Sequence, residues 1–283
     1  MRVLITGAGG FLGTHLLRGL DGHTLIAASR QCVEGHEWRR LGDLRGPVDW
    51  DALLAGVDAV VHLANIAHQT ASEDDFEHVN VRATEELCAA AKRQGVKHLV
   101  YVSSIYAQVG HTSANVVTEA DVPAPTNAYG RSKLAAEHVV ASSGIPFTNL
   151  RPVLLLGEGA KGNVKTLYRL ARLPLPLPLG SITAKRSFLL VENFTRAVAT
   201  VLGNRRAFGE TFIVADRTPL TVGELVAQVR QDIGRKPGVV SLPPGSLEAL
   251  MQLPGARGVW ERIGMSLVAS PAKLMALGWS PTR

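Results

Sequence analysis

The amino-acid sequence predicts a doubly wound α/β protein built on a parallel sheet. Three observations lead to this prediction. Short apolar runs with strand composition alternate with segments of helical spacing, and glycines end several of those segments. The chain is also long enough to bury a large core, with 283 residues of which 46% are hydrophobic. A strand followed by a helix, repeated along a chain, implies parallel strands joined by right-handed crossovers, with helices on both faces of the sheet.

The elements follow one another in the order that this fold requires. The strand RVLIT precedes the helix FLGTHLLRGL, and the strand TLIAAS precedes a short helix in DWDALLAGV. The buried strand DAVVHLA then leads to a helix over 73–94, which ends before Gly95. The strand HLVYVSS leads to the helix AYGRSKLAAEHVVASSG, which Gly144 ends, and PFTNLRPV is the next strand.

After about residue 155 the alternation becomes less regular. The segment LARLPLPLPLG has alternating prolines, which exclude a helix and favour an extended, exposed path. A late helix is predicted in TVGELVAQVRQDIG, where Thr221 and Glu224 fit a capping box and Gly234 fits a stop. We therefore place a main domain at 1–155, with strands returning to it from about 187–215, and a smaller α/β portion at 156–283.

The formal net charge of +6 is concentrated in one segment. Residues 151–190 contain seven basic side chains and one acid, Glu158, and the basic residues are Arg151, Lys161, Lys165, Arg169, Arg172, Lys185 and Arg186. A locally basic segment on an otherwise neutral chain indicates a docking site for an anion, and no basic run with interleaved aromatics suggests nucleic acid. Solvated helix faces are the alternative interpretation for Lys165, Arg169 and Arg172.

The two cysteines, Cys32 and Cys88, have neither disulfide nor metal-ligand spacing, and the histidines show no metal spacing either. We interpret both cysteines as small buried residues, expect no metal site, and take the reducing cytoplasm as the predicted location. Because no apolar run reaches the length of a membrane span, and glycine interrupts the N-terminal run too early for a signal peptide, no membrane partner is expected.

The glycines of TGAGGFLG directly follow the first strand and precede the first helix. In that context Gly7 permits a tight turn, Gly10 allows the backbone to approach a pyrophosphate, and Gly13 lets the helix lie close to the strand. This pattern indicates a dinucleotide site, although its spacing is G-x-x-G-x-x-G.

A second group of residues indicates proton-transfer chemistry. Ser103 and Ser104 end a buried strand, and Tyr129 and Lys133 lie four residues apart on one predicted helical face. A phenol has a reference pKa of about 10, but an adjacent ammonium and a positively charged nicotinamide both favour phenolate. A serine hydroxyl at the carboxyl end of a strand can hold the oxygen of a substrate at the edge where open α/β sheets bind ligands.

With these residues the sequence resembles the extended short-chain dehydrogenase/reductase superfamily, and within it the NAD-dependent epimerase/dehydratase family. The resemblance covers nearly the whole chain and implies a Rossmann domain followed by a substrate-binding portion. It depends on the segments TGAGGFLG, GDL, VHLAN, VNVRAT with Asn80, VSS, YGRSK, LRPVLLLGEG, KGN and KRSFLLVEN. The order from VHLAN to PLPLG is most similar to bacterial 4-keto reductases and 4-epimerases of UDP-N-acetyl sugars.

The resemblance also assigns roles to individual residues. It implies Tyr129 as acid/base, Lys133 as the residue that tunes its pKa and binds ribose, and Ser104 as the substrate-orienting hydroxyl, with Ser103 as the alternative. The cofactor residues that it implies, besides Tyr129 and Lys133, are Gly7, Gly10, Phe11, Leu12, Gly13, Ser29, Arg30, Asp43, Leu44, Leu63, Ala64, Asn65, Pro152 and Val153. Asn163 and Arg186 match positions that hold the diphosphate of the substrate. His62 in VHLAN is interpreted as a strand-end residue, not as a general base.

The second strand ends in AASR and carries no acid to accept a hydrogen bond from a ribose 2′-hydroxyl. Ser29 and Arg30 fit a 2′-phosphate better, which favours NADP over NAD. The resemblance thus implies an oxidoreductase that exchanges hydride at C4 of a nucleotide-activated sugar, of the UDP-4-keto-sugar reductase type. The alternatives are a UDP-sugar 4-epimerase with tightly bound NAD and a non-catalytic dinucleotide-sensing protein, and a homodimer is compatible with each. IYAQVG, where many relatives carry a Val-Tyr-Gly element, leaves the sugar contacts open.

Overall fold

The computed structural model describes residues 1–67, 71–160, 162–243 and 264–282. Its strands are β1 (Arg2–Thr6), β2 (Thr24–Ser29), β3 (Glu37–Arg40), β4 (Ala59–His62), β5 (His98–Val102), β6 (Phe147–Pro152), β7 (Leu154–Leu156), β8 (Lys185–Arg186), β9 (Phe188–Leu190), β10 (Glu210–Val214) and β11 (Leu220–Thr221). Seven of them form one sheet in the order β3-β2-β1-β4-β5-β6-β10. Every pairing in that sheet is parallel. The predicted doubly wound α/β fold is confirmed.

The helices lie between these strands. They are α1 (Phe11–Gly19), α2 (Trp50–Leu54), α3 (Glu73–Phe76), α4 (Ala83–Arg93), α5 (Ile105–Gln108), α6 (Ala128–Ser142), α7 (Asn163–Ala171), α8 (Val191–Val201), α9 (Val222–Asp232) and α10 (Ala272–Ala276). A π-helix (Glu77–Arg82) joins α3 to α4, so the helix predicted over 73–94 is interrupted. None of the described helices is both long and apolar enough to cross a membrane.

Both faces of the large sheet are buried, which explains the continuous apolar composition of its strands. On one face, Val3 and Ile5 of β1 pack with residues of α1 and α8. On the other face, Leu4 packs with residues of α2, α4 and α6. Alternate side chains of a strand point to opposite faces, so one apolar strand contributes to both layers of the core.

The two edges of the sheet differ from its centre. The strand β3 is not predictable from composition, because EWRR carries too few apolar residues to stand out as a strand. Its pairing with β2 holds it in place, and the Trp38 indole donates to Ser29 Oγ at 3.2 Å. At the opposite edge, on β10, the Ile213 amide donates to Glu119 Oε1 at 2.8 Å and Lys273 Nζ donates to the Thr211 carbonyl at 3.0 Å.

The smaller portion of the fold contains α7, α9 and two short two-stranded sheets, β7 with β9 and β8 with β11. The segment LARLPLPLPLG contributes its first two residues to the end of α7 and forms no helix after Ala171, in agreement with the effect expected of its prolines. The predicted capping box of Thr221 and Glu224 begins α9, and Gly234 follows that helix with a φ of 73°. One interpretation was wrong: Cys32 is exposed, whereas Cys88 is buried as expected.

A buried arginine organises the proline-rich segment. The guanidinium of Arg230, on α9, donates to the carbonyls of Ala171, Leu173 and Leu175 at 3.1, 3.1 and 2.8 Å. It also donates to the carbonyl of Gly238 at 2.8 Å. Because main-chain carbonyls from two segments converge on one side chain, the segment after α7 is held against the turn that follows α9.

Candidate active site

The candidate site lies at the carboxyl ends of the central strands. Between β1 and β4 the strand order reverses, and open α/β sheets bind ligands at such a point. A cleft of about 580 Å³ opens there. Ten of the predicted site residues line it: Phe11, Leu12, Leu63, Asn65, Ser103, Ser104, Tyr129, Pro152, Val153 and Arg186. The sheet therefore brings together side chains that are far apart in sequence.

The glycine turn after β1 leaves no space for side chains. Gly7 has a φ of 69°, and a Cβ there would lie 3.1 Å from the Ala64 amide nitrogen. A Cβ on Gly13 would lie 2.5 Å from the Ala8 Cα, so α1 packs directly on the turn. Gly10 caps α1 without a side-chain hydrogen bond, which leaves the first amides of that helix available to an anion. These features fit the pyrophosphate of a dinucleotide.

Ser104 and Tyr129 meet at the floor of the cleft. Ser104 caps α5, its Oγ accepts from the Tyr106 amide at 3.2 Å, and its side chain lowers the pKa of the Tyr129 phenol, which lines the same cleft. Ser103 Oγ is buried and has no hydrogen-bond partner within the described ranges. Of the two serines, Ser104 is therefore the one in contact with the phenol.

The electrostatics at Tyr129 differ from the expectation of a favoured phenolate. Burial raises the pKa of the Tyr129 phenol to about 12, and the hydrogen bond with Ser104 opposes that increase only in part. The Lys133 ammonium donates to the Val102 carbonyl at 2.7 Å and lies 4.3 Å from the centre of the Tyr101 ring. Burial lowers the pKa of Lys133 to about 7, against the opposing effect of Glu137. In the protein alone, Tyr129 is thus a protonated phenol.

A buried ion pair fixes the helix that carries Tyr129 and Lys133. Glu137, one turn beyond Lys133, accepts from Arg151 of β6 at 2.9 and 2.5 Å. Arg151 also donates to Gln108 of α5. A planar guanidinium that bonds a carboxylate through two nitrogens fixes orientation as well as distance. The α6 helix is therefore fixed to the sheet and to α5 beneath the cleft.

A buried polar chain begins at the last residue of β1. Thr6 Oγ1 accepts from the amides of Leu63 and Ala64, both at 3.1 Å, so its own hydrogen goes to His62 Nδ1 at 2.7 Å. His62 therefore carries its proton on Nε2, which faces Thr84 Oγ1 at 3.3 Å. Burial lowers the pKa of His62 to about 3, with the charge of Lys133 as a second cause. His62 is thus neutral and fully engaged at the end of β4.

The chain continues to the helix of Tyr129. Thr84 Oγ1 donates to the Asn80 carbonyl at 2.8 Å. The Asn80 amide group accepts from the Ile66 amide at 2.9 Å and donates to Ser132 Oγ at 3.0 Å. Ser132 Oγ in turn donates to the Tyr129 carbonyl at 2.8 Å. From the sequence Asn80 is identified only as part of the motif VNVRAT. Its hydrogen bonds could not be predicted, because they depend on the π-helix in which it lies.

Four of the predicted cofactor residues, Ser29, Arg30, Asp43 and Leu44, are not among the residues that line the cleft. Ser29 Oγ donates to the Gln31 carbonyl at 2.5 Å. A Cβ added to Gly9 would lie 3.7 Å from the Ser29 Cβ, so Ser29 is adjacent to the glycine turn. Arg30 is exposed and forms no hydrogen bond or ion pair with any described residue. Asp43 is exposed and lies 3.7 Å from Arg45, and Leu44 is half-buried. These residues follow β2 and β3, on the side of the glycine turn away from Tyr129.

Arg186 is a buried cation on the wall of the cleft. Its guanidinium donates to the carbonyls of Met265 and His111 at 2.5 and 3.1 Å. Burial lowers the pKa of Arg186, although not enough to discharge a guanidinium. No carboxylate in the described part of the chain pairs with it, so its charge is available to an anionic ligand. Asn163 begins α7, and its side chain lies outside the described residues.

We predict that His62 contributes a pH-dependent part of the stability. Its pKa of about 3 in the folded chain lies below the 6.5 of an unperturbed histidine, so the unfolded state binds the extra proton first. Stability is full above pH 6.5 and falls with decreasing pH, by about 1.4 kcal/mol per pH unit for one such group. His62→Gln should reduce the slope of the unfolding free energy between about pH 4 and 6 by roughly that amount. Urea titrations measure it, with the exposed His138→Gln as control; an unchanged slope in His62→Gln would contradict this assignment.

Comparison with known proteins places the chain in a family. A model of the NAD dependent epimerase/dehydratase family matches residues 3–215. The chain is 27% identical, over 99% of its length and 90% of the relative's, to a UDP-glucose 4-epimerase from Vibrio cholerae. It is 32% identical, over 85% of its length and 75% of the relative's, to an N-acetyl-alpha-D-glucosaminyl-diphospho-ditrans,octacis-undecaprenol 4-epimerase from Escherichia coli O157:H7.

A solved structure gives the same result. MoeE5 in complex with UDP-glucose and NAD is similar to this chain with a TM-score of 0.79 at 25% identity, covering 100% of this chain and 94% of that one. The glycine turn, the cleft at the strand ends and the matched range agree with one another. The chain therefore belongs to the NAD dependent epimerase/dehydratase family and is an enzyme of the extended short-chain dehydrogenase/reductase type.

Proposed function

We propose that the protein is an NAD(P)-dependent oxidoreductase that exchanges hydride at C4 of a UDP-activated sugar, in the manner of a 4-keto-sugar reductase. The observation that carries this proposal is a cleft at the strand ends that brings together the protonated Tyr129 phenol, the Ser104 hydroxyl and the buried cation Arg186. A protonated phenol suits the reductive direction, in which a carbonyl oxygen must receive a proton.

Ser104, Tyr129 and Lys133 would have different roles in the reaction. Ser104 would donate a hydrogen bond to the carbonyl oxygen of the sugar and hold it beside the phenol, and Tyr129 would deliver the proton to that oxygen. Lys133 lies one turn further along α6, where its ammonium would bind ribose and stabilise the phenolate left behind. The nicotinamide, when bound, supplies the hydride. Pro152 and Val153 form the wall proposed to lie beside it.

Arg186 supports an activated sugar rather than an uncharged ketone. Its guanidinium has no carboxylate partner in the described part of the chain, and burial makes an unbalanced charge costly unless a ligand neutralises it. A diphosphate would accept from such a group through short, charge-assisted hydrogen bonds. Asn163 is proposed as a second diphosphate ligand from its place in the motif alone. The similar proteins named above act on or bind UDP-glucose and a diphospho-linked amino sugar, which agrees with this class of substrate.

NADP is the proposed cofactor. The exposed Arg30 follows β2, where a guanidinium can meet a 2′-phosphate, and the hydroxyl of the adjacent Ser29 cannot act as the acid that selects NAD. Arg40, at the end of β3 and paired in register with Ser29, adds a second exposed cation at this edge. The structure of MoeE5 contains NAD, and the relative affinities of this protein for NADPH and NADH therefore test the proposed cofactor.

The second candidate is a UDP-sugar 4-epimerase that retains NAD. The relatives named as 4-epimerases favour it, because an epimerase and a reductase can share the same serine, tyrosine and lysine. The two functions differ in whether the cofactor is exchanged after each turnover. A non-catalytic dinucleotide sensor would not need Tyr129 and Ser104 in one cleft, with Lys133 one turn beyond Tyr129 on α6. A homodimer and a cytoplasmic location remain predictions from the sequence.

If Tyr129 transfers the proton, Tyr129→Phe should reduce turnover of UDP-4-keto sugars by about two to four orders of magnitude. Cofactor affinity, measured by fluorescence, should stay close to that of the wild type. Tyr168→Phe is the matched control, since Tyr168 is a half-buried tyrosine of α7 outside the cleft. Turnover of Tyr129→Phe within a few-fold of the wild type would remove this residue from the mechanism.

If Arg186 holds a diphosphate, Arg186→Ala should weaken binding of UDP by roughly 1.5 to 3 kcal/mol, because a charge-assisted hydrogen bond is lost. NADP affinity should change little. Calorimetric titrations of UDP into the wild type, Arg186→Ala and the exposed control Arg196→Ala measure the effect. Equal UDP affinity in all three proteins would remove the main support for an activated sugar.

If Arg30 recognises a 2′-phosphate, the wild type should bind NADPH more tightly than NADH. Arg30→Ala should then erase most of the difference, roughly 1.5 to 3 kcal/mol for a charged contact. Fluorescence titrations with both nucleotides measure the two dissociation constants. Arg18→Ala is the control, since Arg18 is an exposed arginine of α1. A wild type that prefers NADH, or that retains NAD through purification, would defeat the reductase assignment and favour the epimerase.

A further inference from the structure

One surface of the smaller portion combines exposed apolar side chains with positive charge. We call it the α7–α9 face. Its apolar members are Leu170, Leu173, Leu175, Ile233 and Val240, each between 39% and 64% exposed. They are five of the ten large apolar side chains that are strongly exposed in the described part of the chain. Concentration of exposed apolar residues in one region marks an interaction surface rather than ordinary surface composition.

The residues of the α7–α9 face belong to one continuous surface. The Arg230 guanidinium bonds the carbonyls of Leu173 and Leu175 on one side and of Gly238 on the other. A bridge pairs Leu177 with Val239, and the Val240 amide donates to the Leu177 carbonyl at 3.0 Å. The segment after α7 and the segment after α9 therefore lie side by side.

Basic residues lie in the same segments as these apolar side chains. They are Lys165, Arg169, Arg172, Arg235 and Lys236, all of them exposed. None of the five forms an ion pair with a described carboxylate, and Asp232 is the single acid of 162–180 and 231–243. Exposed leucines together with unpaired cations fit a partner that is both apolar and anionic.

The backbone of the α7–α9 face is suited to leave water. Pro174 and Pro176 have no N–H group, and Arg230 already satisfies the carbonyls of Leu173 and Leu175. Main-chain polar groups that enter an apolar phase without a partner are costly, and in this segment two N–H groups are absent and two carbonyls are already bonded. Its leucines can therefore enter the boundary between headgroups and acyl chains at low cost.

We propose that the α7–α9 face docks the protein on an anionic lipid surface, with its leucines in the interface and its basic residues against phosphate headgroups. Such peripheral docking needs no membrane-spanning segment. A second copy of the chain is a poorer partner, because a two-fold contact through this face would oppose the same cations to one another.

The position of this face gives the docking a consequence for the cleft. Ala160 and Val164, beside or within the first turn of α7, line the cleft, and α7 ends at Ala171. Lys165, which belongs to the α7–α9 face, directly follows Val164, so a docked protein would hold this wall of its cleft close to the lipid surface.

Sedimentation with vesicles tests the proposal. The full-length protein should bind vesicles of phosphatidylglycerol mixed with phosphatidylcholine and should not bind vesicles of phosphatidylcholine alone. Arg169→Gln combined with Arg172→Gln should weaken binding about twenty-five-fold, since each basic side chain near an anionic surface contributes roughly fivefold. Leu173→Ser combined with Leu175→Ser should weaken it by about tenfold or more, through loss of apolar burial.

Matched controls separate this face from the rest of the surface. Arg196→Gln removes an exposed arginine of α8, and Val122→Ser removes an apolar side chain that is 87% exposed elsewhere. Both should bind vesicles as the wild type does, and all variants should keep the wild-type UDP affinity and thermal transition. Equal binding to neutral vesicles, no binding to either kind, or equal losses in the control variants would overturn the proposal. Light scattering measures the oligomeric state of the same proteins. If the leucine or arginine variants dissociate an oligomer and leave vesicle binding unchanged, the partner of this face is a second copy of the chain and not a lipid surface.

Discussion

The hydroxyl of Thr6 is the contact on which the site depends. It accepts two amides from the segment after β4 and donates to His62, so the last residue of β1 fixes the backbone on the opposite side of the switch point. Because its single hydrogen goes to His62, the tautomer of the imidazole and the direction of its bond to Thr84 follow. Through Thr84, Asn80 and Ser132, the same chain reaches the carbonyl of Tyr129. The glycine turn and the helix that carries Tyr129 are thereby fixed relative to each other.

The buried charged groups near Tyr129 are bonded to partners other than the phenol. Glu137 is committed to Arg151, and Lys133 turns to a main-chain carbonyl. Tyr129 therefore has no charged partner among the described residues at hydrogen-bond distance, and its pKa rises above its ordinary value rather than falling. A site of this kind holds its proton until a bound ligand changes the local charge. Arg186 differs from Glu137 and Lys133 in this respect. It lines the described wall of the cleft as a cation that main-chain carbonyls alone hold in place.

The sequence predicted what depends on short-range patterns. The sheet, the glycine turn and the helix that carries both Tyr129 and Lys133 depend on periodicity and on local spacing, and these predictions are confirmed. It did not reveal the polar chain, because Thr6 and His62 are 56 residues apart and their partnership depends on sheet register. β3 was missed because pairing with β2, not apolar composition, makes it a strand. The rise in the pKa of Tyr129 could not be anticipated either, since burial depends on the packed fold.

The two edges of the sheet also affect how the molecule behaves at high concentration. An exposed strand edge is a template on which another chain can add a strand, and unchecked addition leads to aggregation. β3 is only four residues long and carries Glu37, Arg39 and Arg40, which makes it a poor template. On β10, Glu119 occupies the Ile213 amide and Lys273 occupies the Thr211 carbonyl, so a passing strand finds these two groups already bonded. Side chains that do no chemistry thus protect a seven-stranded sheet from polymerising through its own hydrogen bonds.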